Sequence, residues 1–503
     1  MKGGLSETLD HIFFSLLMMS PEVILAIGIL LIIIVGLVRK NDPSLALLSF
    51  LVFSFSLLFA VDHWQDFEKP TLLFHGMLQR DTFSSYLQTL VDVAGILTVV
   101  MSWRNKQLQH YISEYYALLI AVVLGAHLLV MSKNLLMVFL SLELISISSY
   151  ILTGFAFNKK GAEGSLKYFI FGSVASAIML YGLTMFYGFT GTLDFYSADF
   201  VNKLQGNLTP LFFVSALMVM SGFLYKIAAA PLHPWAPDVY ESAPMPVVAF
   251  FSIVPKLAGI GILMRFSLAI NLGGQSPYDW QFVLSAVAIL SLTVGNFSAL
   301  MQKNPKRLMA YSSIAQSGFL LVGIVAFLPQ GIQAMLFYAT VYMVMNFIVF
   351  LYLQYFEKHG IISIADYQGI GKKIVWPSVF LLVGLIALTG LPPTAGFTAK
   401  LFIFTSLWES YQLSGKNILL WLLIFGLLNT VVSLFYYLRI PYYAFVKSSE
   451  SSVKTNILTF ENLLGLILVL LVLLFFFSPG LLMGWINKIT FVSVIRYPLS
   501  VIG

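Results

Sequence analysis

Three lysines, Lys226, Lys256 and Lys400, are read as the only ones of the chain's 28 Lys and Arg residues that fall inside its apolar spans. Two of them close the same five-residue phrase, Gly222-Phe223-Leu224-Tyr225-Lys226 and Gly396-Phe397-Thr398-Ala399-Lys400, 174 positions apart. A lysine at bilayer depth costs about 2.5–3.5 kcal/mol on insertion scales. Burial disfavours its charged form, so an ammonium stranded there can gain and lose a proton near neutral pH. A duplicated lysine of this kind points to a path for protons or cations.

Other polar residues sit in similar surroundings. Glu143 lies mid-span among Ser146, Ser148, Ser149 and Tyr150. A carboxylate there needs a partner or a proton, and Lys226 is the expected one. Lys256 follows Pro255 well inside its span, and Lys400 lies as deep in its own; both are read as proton relays. His233 falls in Pro231-Leu232-His233-Pro234. Its imidazole either passes protons or caps loose backbone carbonyls. His127, among apolar neighbours, is expected to pack, and Asp92 to make a structural hydrogen bond. Lys306 and Arg307 are expected to anchor the start of a span, and Asp238 and Glu241 to face a neighbouring subunit.

The elements that must hold these residues are helices in a bilayer. Of 503 residues, 59% are hydrophobic and 10% charged, against about 25% charged in soluble domains. Such a chain cannot cover itself with a wetted surface. Fourteen apolar stretches of spanning length follow, at about 21–38, 44–61, 82–102, 115–131, 134–157, 166–189, 210–230, 246–270, 281–301, 308–328, 332–356, 376–408, 417–440 and 462–486. Their continuous apolar runs favour helices over alternating barrel strands. The expected fold is an all-α polytopic membrane protein of about 14 transmembrane helices.

Basic residues set its orientation. Odd-numbered connections hold sixteen Lys and Arg, including Lys40, Arg104, Lys106, Lys159, Lys160, Lys372, Lys373 and Lys454. Even-numbered connections and the tails hold nine, including Lys69, Arg80, Arg265 and Arg496. Odd connections are therefore expected to be cytoplasmic, with both termini on the other side. The N-terminal stretch, with Glu7 and Asp10 and no small-residue cleavage site, reads as retained.

The repeated phrase occupies spans 7 and 12, so the two copies run antiparallel, as in inverted-topology transporters. Prolines break both spans: Pro231, Pro234 and Pro237 follow Lys226, whereas Pro392 and Pro393 precede Lys400. The expected organisation is residues 1–114 as helices 1–3, 115–270 as a first five-helix repeat, 281–440 as its inverted copy, and 441–503 as helix 14.

Cysteine is absent, which excludes disulfides and thiolate-bound iron–sulfur clusters in this chain. Gly259-Ile260-Gly261 and Gly369-Ile370-Gly371 are too short for a dinucleotide fingerprint, and no Walker motif or histidine-rich metal cluster occurs. No basic cluster interleaved with aromatics suggests nucleic acid.

The segment Pro231-Leu232-His233-Pro234-Trp235-Ala236-Pro237-Asp238-Val239-Tyr240-Glu241-Ser242-Ala243-Pro244 resembles the antiporter-like subunits of respiratory complex I. Pro21-Glu22, Leu142-Glu143-Leu144, Lys306 to Ala315, and Leu391-Pro392-Pro393-Thr394-Ala395-Gly396-Phe397 resemble the same family, and the likeness covers nearly the whole chain. Asp-Val-Tyr-Glu, Ala-Pro, Lys400 in place of a glutamate and the absence of a long lateral helix favour its subunit-N branch. Gln316 stands where that branch usually carries histidine, and glutamine cannot titrate.

The resemblance implies proton translocation in the bacterial inner membrane, driven by NADH oxidation and quinone reduction in other subunits. It implies Glu143 and Lys226 as a charge pair, Lys256 as the central relay and Lys400 as the terminal one. No cofactor is expected in this chain; NADH, FMN, iron–sulfur clusters and quinone would belong to partners. Subunit M and the small membrane subunits are the expected neighbours. Two rival readings remain: a subunit of a multisubunit cation/proton antiporter, and a non-pumping scaffold of the membrane arm.

Overall fold

The computed structural model describes residues 2–39, 42–65, 70–103, 105, 108, 111–205, 209–271, 276–448 and 460–489. Lys40, Lys69, Arg104, Lys106, Lys454 and Arg496, all used to orient the chain, lie outside them, as do Met1 and the last fourteen residues.

The chain opens with α1 (Lys2–Met18), α2 (Ser20–Val38) and α3 (Ser44–Gln65), then a hairpin of β1 (Thr71–Leu73) and β2 (Leu78–Arg80). Next come α4 (Thr82–Ser102), α5 (Ile112–Met131), α6 (Leu135–Thr153), α7 (Lys159–Thr190), α8 (Ala198–Gln205) and α9 (Pro210–Lys226). After them run α10 (Trp235–Ser242), α11 (Met245–Phe251), α12 (Val254–Ile270), α13 (Trp280–Leu300), α14 (Pro305–Val325) and α15 (Pro329–Lys358). The remainder is α16 (Val375–Thr389), α17 (Ala395–Ser414), α18 (Asn417–Tyr437), α19 (Arg439–Pro441), α20 (Phe460–Phe477) and α21 (Pro479–Ile486). Among the described residues, 12 helices or continuous helical stretches are long and apolar enough to cross a bilayer. With no water at that depth, helices satisfy each backbone group within the segment.

Two compact units divide these elements. One contains the described parts of Met1–Ile227 and Ile253–Trp280; the other contains Ala228–Ser252 and the described parts of Gln281–Lys488. In the first, α5 is the inner helix, packed by α2, α4, α6 and α12. In the second, α15 is buried along most of its 30 residues and packs against α14, α16, α17 and α20.

Both proline-containing spans are interrupted. Span 7 ends its first half at Lys226 and resumes at Trp235; span 12 stops at Thr389 and resumes at Ala395. Each gap contains one cis X-Pro bond, Ala230-Pro231 and Pro392-Pro393. Span 8 is interrupted too, at Ser252–Ile253, where Pro255 lies in the first turn of α12.

Three features depart from the sequence reading. The β1–β2 hairpin, with Thr71 opposite Arg80 and Leu73 opposite Leu78, was not read as strands because three residues are too few to show alternation. Arg265, counted with the connections, is inside α12 and buried, held by Asp81 at 2.7 and 2.8 Å and by the Val130 carbonyl at 2.9 Å. Arg80, also counted as a loop residue, is buried on β2.

Candidate functional site

Lys226, Lys256 and Lys400 are 2%, 2% and 4% exposed, so each ammonium is enclosed by protein and does not reach the molecular surface as a snorkelling lysine does. Lys226 is the last residue of α9, at the negative end of that helix's dipole. Its Nζ donates to Ser146 Oγ of α6 at 3.1 Å and lies 5.8 Å from the centre of the Tyr168 ring. The Glu143 carboxylate, one turn before Ser146, acts on the Lys226 charge. Among the described residues, though, no Glu143–Lys226 ion pair of hydrogen-bond length occurs, and Glu143 Oε1 is buried without a hydrogen-bond partner. The serine, and not the carboxylate, holds the ammonium by a hydrogen bond.

Lys256 occupies the first turn of α12, at the positive end of a helix dipole. Helices α9 and α12 cross closely beside it. A Cβ on Gly259 would meet Ile227 Cγ2 at 2.7 Å and Lys226 Cβ at 3.6 Å. Glycine therefore lets the two lysine-bearing helices approach within the first unit. Ala228, just after Lys226, takes a left-handed φ of 55°, a conformation that costs a non-glycine residue about 1–2 kcal/mol.

In the second unit, Lys400 sits in the second turn of α17 and reaches back over the break to α16. Its Nζ donates to the Thr389 carbonyl at 2.8 Å and the Leu388 carbonyl at 3.4 Å, with the Phe319 ring centre 4.3 Å away. These are terminal carbonyls of a helix, with no intrahelical donor to receive. Gly390 makes the turn possible: its φ is 82°, and a Cβ there would meet Lys400 Cδ at 2.8 Å. The two lysines of the repeated phrase thus share one electrostatic setting. Each ammonium lies at the carboxyl end of a half-helix, Lys226 on its own and Lys400 on the half-helix before it.

Gln316 joins this site. Its amide nitrogen donates to the Leu388 carbonyl at 3.4 Å, the carbonyl that also accepts from Lys400, and to Tyr437 at 3.2 Å; Tyr338 donates to its Oε1. Tyr437 in turn bonds Ser312. The next residue, Ser313, bonds Tyr342 at 3.1 Å and Tyr240 at 3.0 Å. One turn along α15 from Tyr342, Asn346 donates to Ser252 at 2.9 Å. A row of buried amides and hydroxyls therefore runs from Lys400 to Ser252. Sequence reasoning missed it, because single Tyr and Ser residues in apolar spans carry no periodic signal.

His233 is partly exposed in the interrupted segment of span 7, and among the described residues nothing bonds it to Lys400. Asp238 and Glu241, expected to face a neighbouring subunit, both accept from Arg307 at 2.8 Å. Lys306 pairs with Glu357 at 2.9 Å. His127, expected only to pack, lies between Glu22 and Asp92, while Asp92 accepts from Ser56 at 2.9 Å. Among the described residues, no group of three or more His, Asp or Glu has the arrangement of a metal site.

Residues 132–433 match the family described as NADH:quinone oxidoreductase/Mrp antiporter, TM. The chain belongs to this family. Subunit N of NADH-quinone oxidoreductase from Chlorobium chlorochromatii (strain CaD3) is 37% identical over 482 residues, covering 91% of this chain and 92% of that protein. A chain of respiratory complex I from Thermus thermophilus with bound aureothin superimposes with a TM-score of 0.77 at 28% identity, over 92% of this chain and 98% of that one. A chain of the Mrp complex from Dietzia sp. DQ12-45-1b matches with a TM-score of 0.79 at 19% identity, over 95% and 97%. That last likeness is one of fold. The family and the subunit-N relatives agree with the resemblance drawn from the sequence motifs.

Proposed function

We propose that this chain is a multi-pass membrane-arm subunit of an NADH–quinone oxidoreductase, and that it moves protons through Glu143, Lys226, Lys256 and Lys400. The observation that carries this reading is the setting of Lys226 and Lys400. Both ammonium groups are buried at the carboxyl end of a half-helix, and each is held by neutral oxygen atoms. A lysine fixed by a carboxylate within bonding distance would be locked as a structural ion pair. One held by a serine or by backbone carbonyls can lose its proton without stranding a bonded counter-charge.

The helix dipoles divide the roles. The carboxyl ends beside Lys226 and Lys400 favour a resident positive charge, whereas the amino end beneath Lys256 does not. Lys256 is then the transit point and the outer lysines are holding points. Glu143 shifts the balance at Lys226 through space. Past the non-titrating Gln316, protons move along hydroxyls and water, with His233 as a relay at the interrupted segment of span 7.

The same reading includes fourteen crossings, two inverted five-helix repeats over 115–270 and 281–440, and both termini on the non-cytoplasmic side of a bacterial inner membrane. Antiporter-like subunit M and the small membrane subunits are its neighbours. NADH, FMN, iron–sulfur clusters and quinone reside in partner subunits. The test is NADH-driven acidification of proteoliposomes holding the purified complex. Lys256→Ala is expected to assemble and to lower proton transfer at least tenfold. Normal pumping by that variant would support a scaffold instead. Co-purification without flavin subunits, with sodium-dependent proton exchange, would favour the cation/proton antiporter.

A further inference from the structure

Apart from the lysines, the first unit buries a Glu–His–Asp row on three helices. His127 Nδ1 of α5 lies 3.0 Å from Glu22 Oε1 of α2, and Nε2 lies 3.3 Å from Asp92 Oδ1 of α4. The second contact is bent away from the line a hydrogen bond prefers, since both atoms lack a hydrogen bond of good geometry. Gln88 donates to Glu22 Oε1 at 2.9 Å, and Ser56 of α3 donates to Asp92 Oδ2 at 2.9 Å. All three members are buried, and Glu22 Oε2 has no hydrogen-bond partner among the described residues.

An imidazole with a carboxylate at each nitrogen has few stable protonation states. A bare nitrogen lone pair facing a carboxylate is repulsive, so either the ring carries both protons or one carboxyl carries its own. Both arrangements contain one proton more than a neutral imidazole between two carboxylates. With that proton, Glu22, Asp92, His127 and the buried Arg80, which acts on Glu22, sum to zero charge. Without it a net negative charge is left in a water-poor interior, a costly state. Among the described side chains, the other ionisable groups on elements packed against α5 are Asp62 near the end of α3, Tyr86 on α4, Glu143 and Tyr150 on α6, and Lys256 and Arg265 on α12, with Tyr115 and Tyr116 on α5 itself. Glu114 opens α5 itself, and Arg265 is committed to Asp81.

We propose that Glu22, His127 and Asp92 form a second proton-binding site, sharing no residue with the lysines, which takes up and releases one proton during turnover. Glu22 Oε2 is its point of exchange. Uptake converts the neutral imidazole and two carboxylates into an imidazolium dicarboxylate, and release reverses that change. No other bond forms or breaks. Asp92 and His127 look from the sequence like isolated polar residues; only the approach of α2, α4 and α5 joins them.

The inference rests on the proton-translocation reading above, and its test keeps the two apart. The whole complex is purified and its infrared difference spectrum recorded as NADH is added, alongside acidification in proteoliposomes. The wild type is expected to give histidine-ring bands of imidazolium formation paired with shifts in carboxylate bands, and His127→Gln and Asp92→Asn are expected to remove them. Ser56→Ala, which deletes only a hydrogen bond into Asp92, covers the case in which those variants fail to assemble. It is expected to displace the pH profile of proton transfer by roughly half a unit or more. Pumping by the wild type with no such bands, or a Ser56→Ala profile that coincides with the wild type, overturns the second site. A wild-type complex that does not acidify at all overturns the broader reading instead.

Discussion

Lys400 donates to the Thr389 carbonyl at 2.8 Å, across the break that separates them along the chain. The contact ties the two half-helices of span 12 together through a group that can change its charge. Replacing Lys400 with methionine keeps the volume but leaves the Thr389 carbonyl without its side-chain donor, at about 1–3 kcal/mol, while the Leu388 carbonyl keeps only Gln316. Lys400→Met is therefore expected to lower both proton transfer and the thermal stability of the assembled complex. Lys400→Arg should retain stability better than transfer, since a guanidinium does not release its proton. Assembly on native gels and acidification rates measured together separate the two effects.

Ser146 and Lys226 are expected to act as one unit. Ser146→Ala removes a single hydrogen bond to the ammonium and should slow proton transfer several-fold, equivalent to about 1 kcal/mol. Combined with Lys226→Met, the serine change should add almost nothing. Additive losses in that double-mutant cycle would place Ser146 outside the lysine's function.

Gly396 is fixed by packing. A Cβ there would land on the Ala387 backbone carbonyl of α16, which cannot swing aside as a side chain can. Gly396→Ala is expected to destabilise by about 1–3 kcal/mol and to disturb Lys400 one turn away. The same substitution at Gly188 of α7, where a Cβ meets nothing within 4 Å, should disturb neither lysine. Melting curves of the two variants in detergent make the comparison.

Two arginine pairs should differ sharply. Arg265 and Asp81 are both buried, so Arg265→Gln breaks a desolvated pair and should cost about 3–5 kcal/mol. Arg307, Asp238 and Glu241 are 30%, 32% and 21% exposed at their side chains. Solvent screens that cluster, and Arg307→Gln should cost about 1 kcal/mol or less. Comparable losses by thermal denaturation would contradict the burial argument.

Much of this architecture was legible in the sequence because apolar runs and prolines act locally. The breaks after Lys226 and before Lys400 followed from Pro231, Pro392 and Pro393. The split of span 8 at Ser252 was not read, although Pro255 stood three residues on, because a proline in the first helical turn needs no break. The lysines announced themselves by the cost of burying a charge. Their partners did not. Ser146, Leu388 and Thr389 meet the ammonium groups only through packing between helices, and the Glu22–His127–Asp92 row needs three of them. Gln316 was legible as a departure from the family's usual histidine; its shared carbonyl with Lys400 was not.

The central claim is that Lys226 carries a proton in turnover. Its most direct test is the number of protons translocated per NADH by proteoliposomes containing the complex with Lys226→Met. NADH oxidation by an artificial electron acceptor serves as the assembly control. The account predicts a normal control and a clearly lowered proton yield or coupled rate. A complex that passes the control and pumps with the wild-type yield and rate would contradict it.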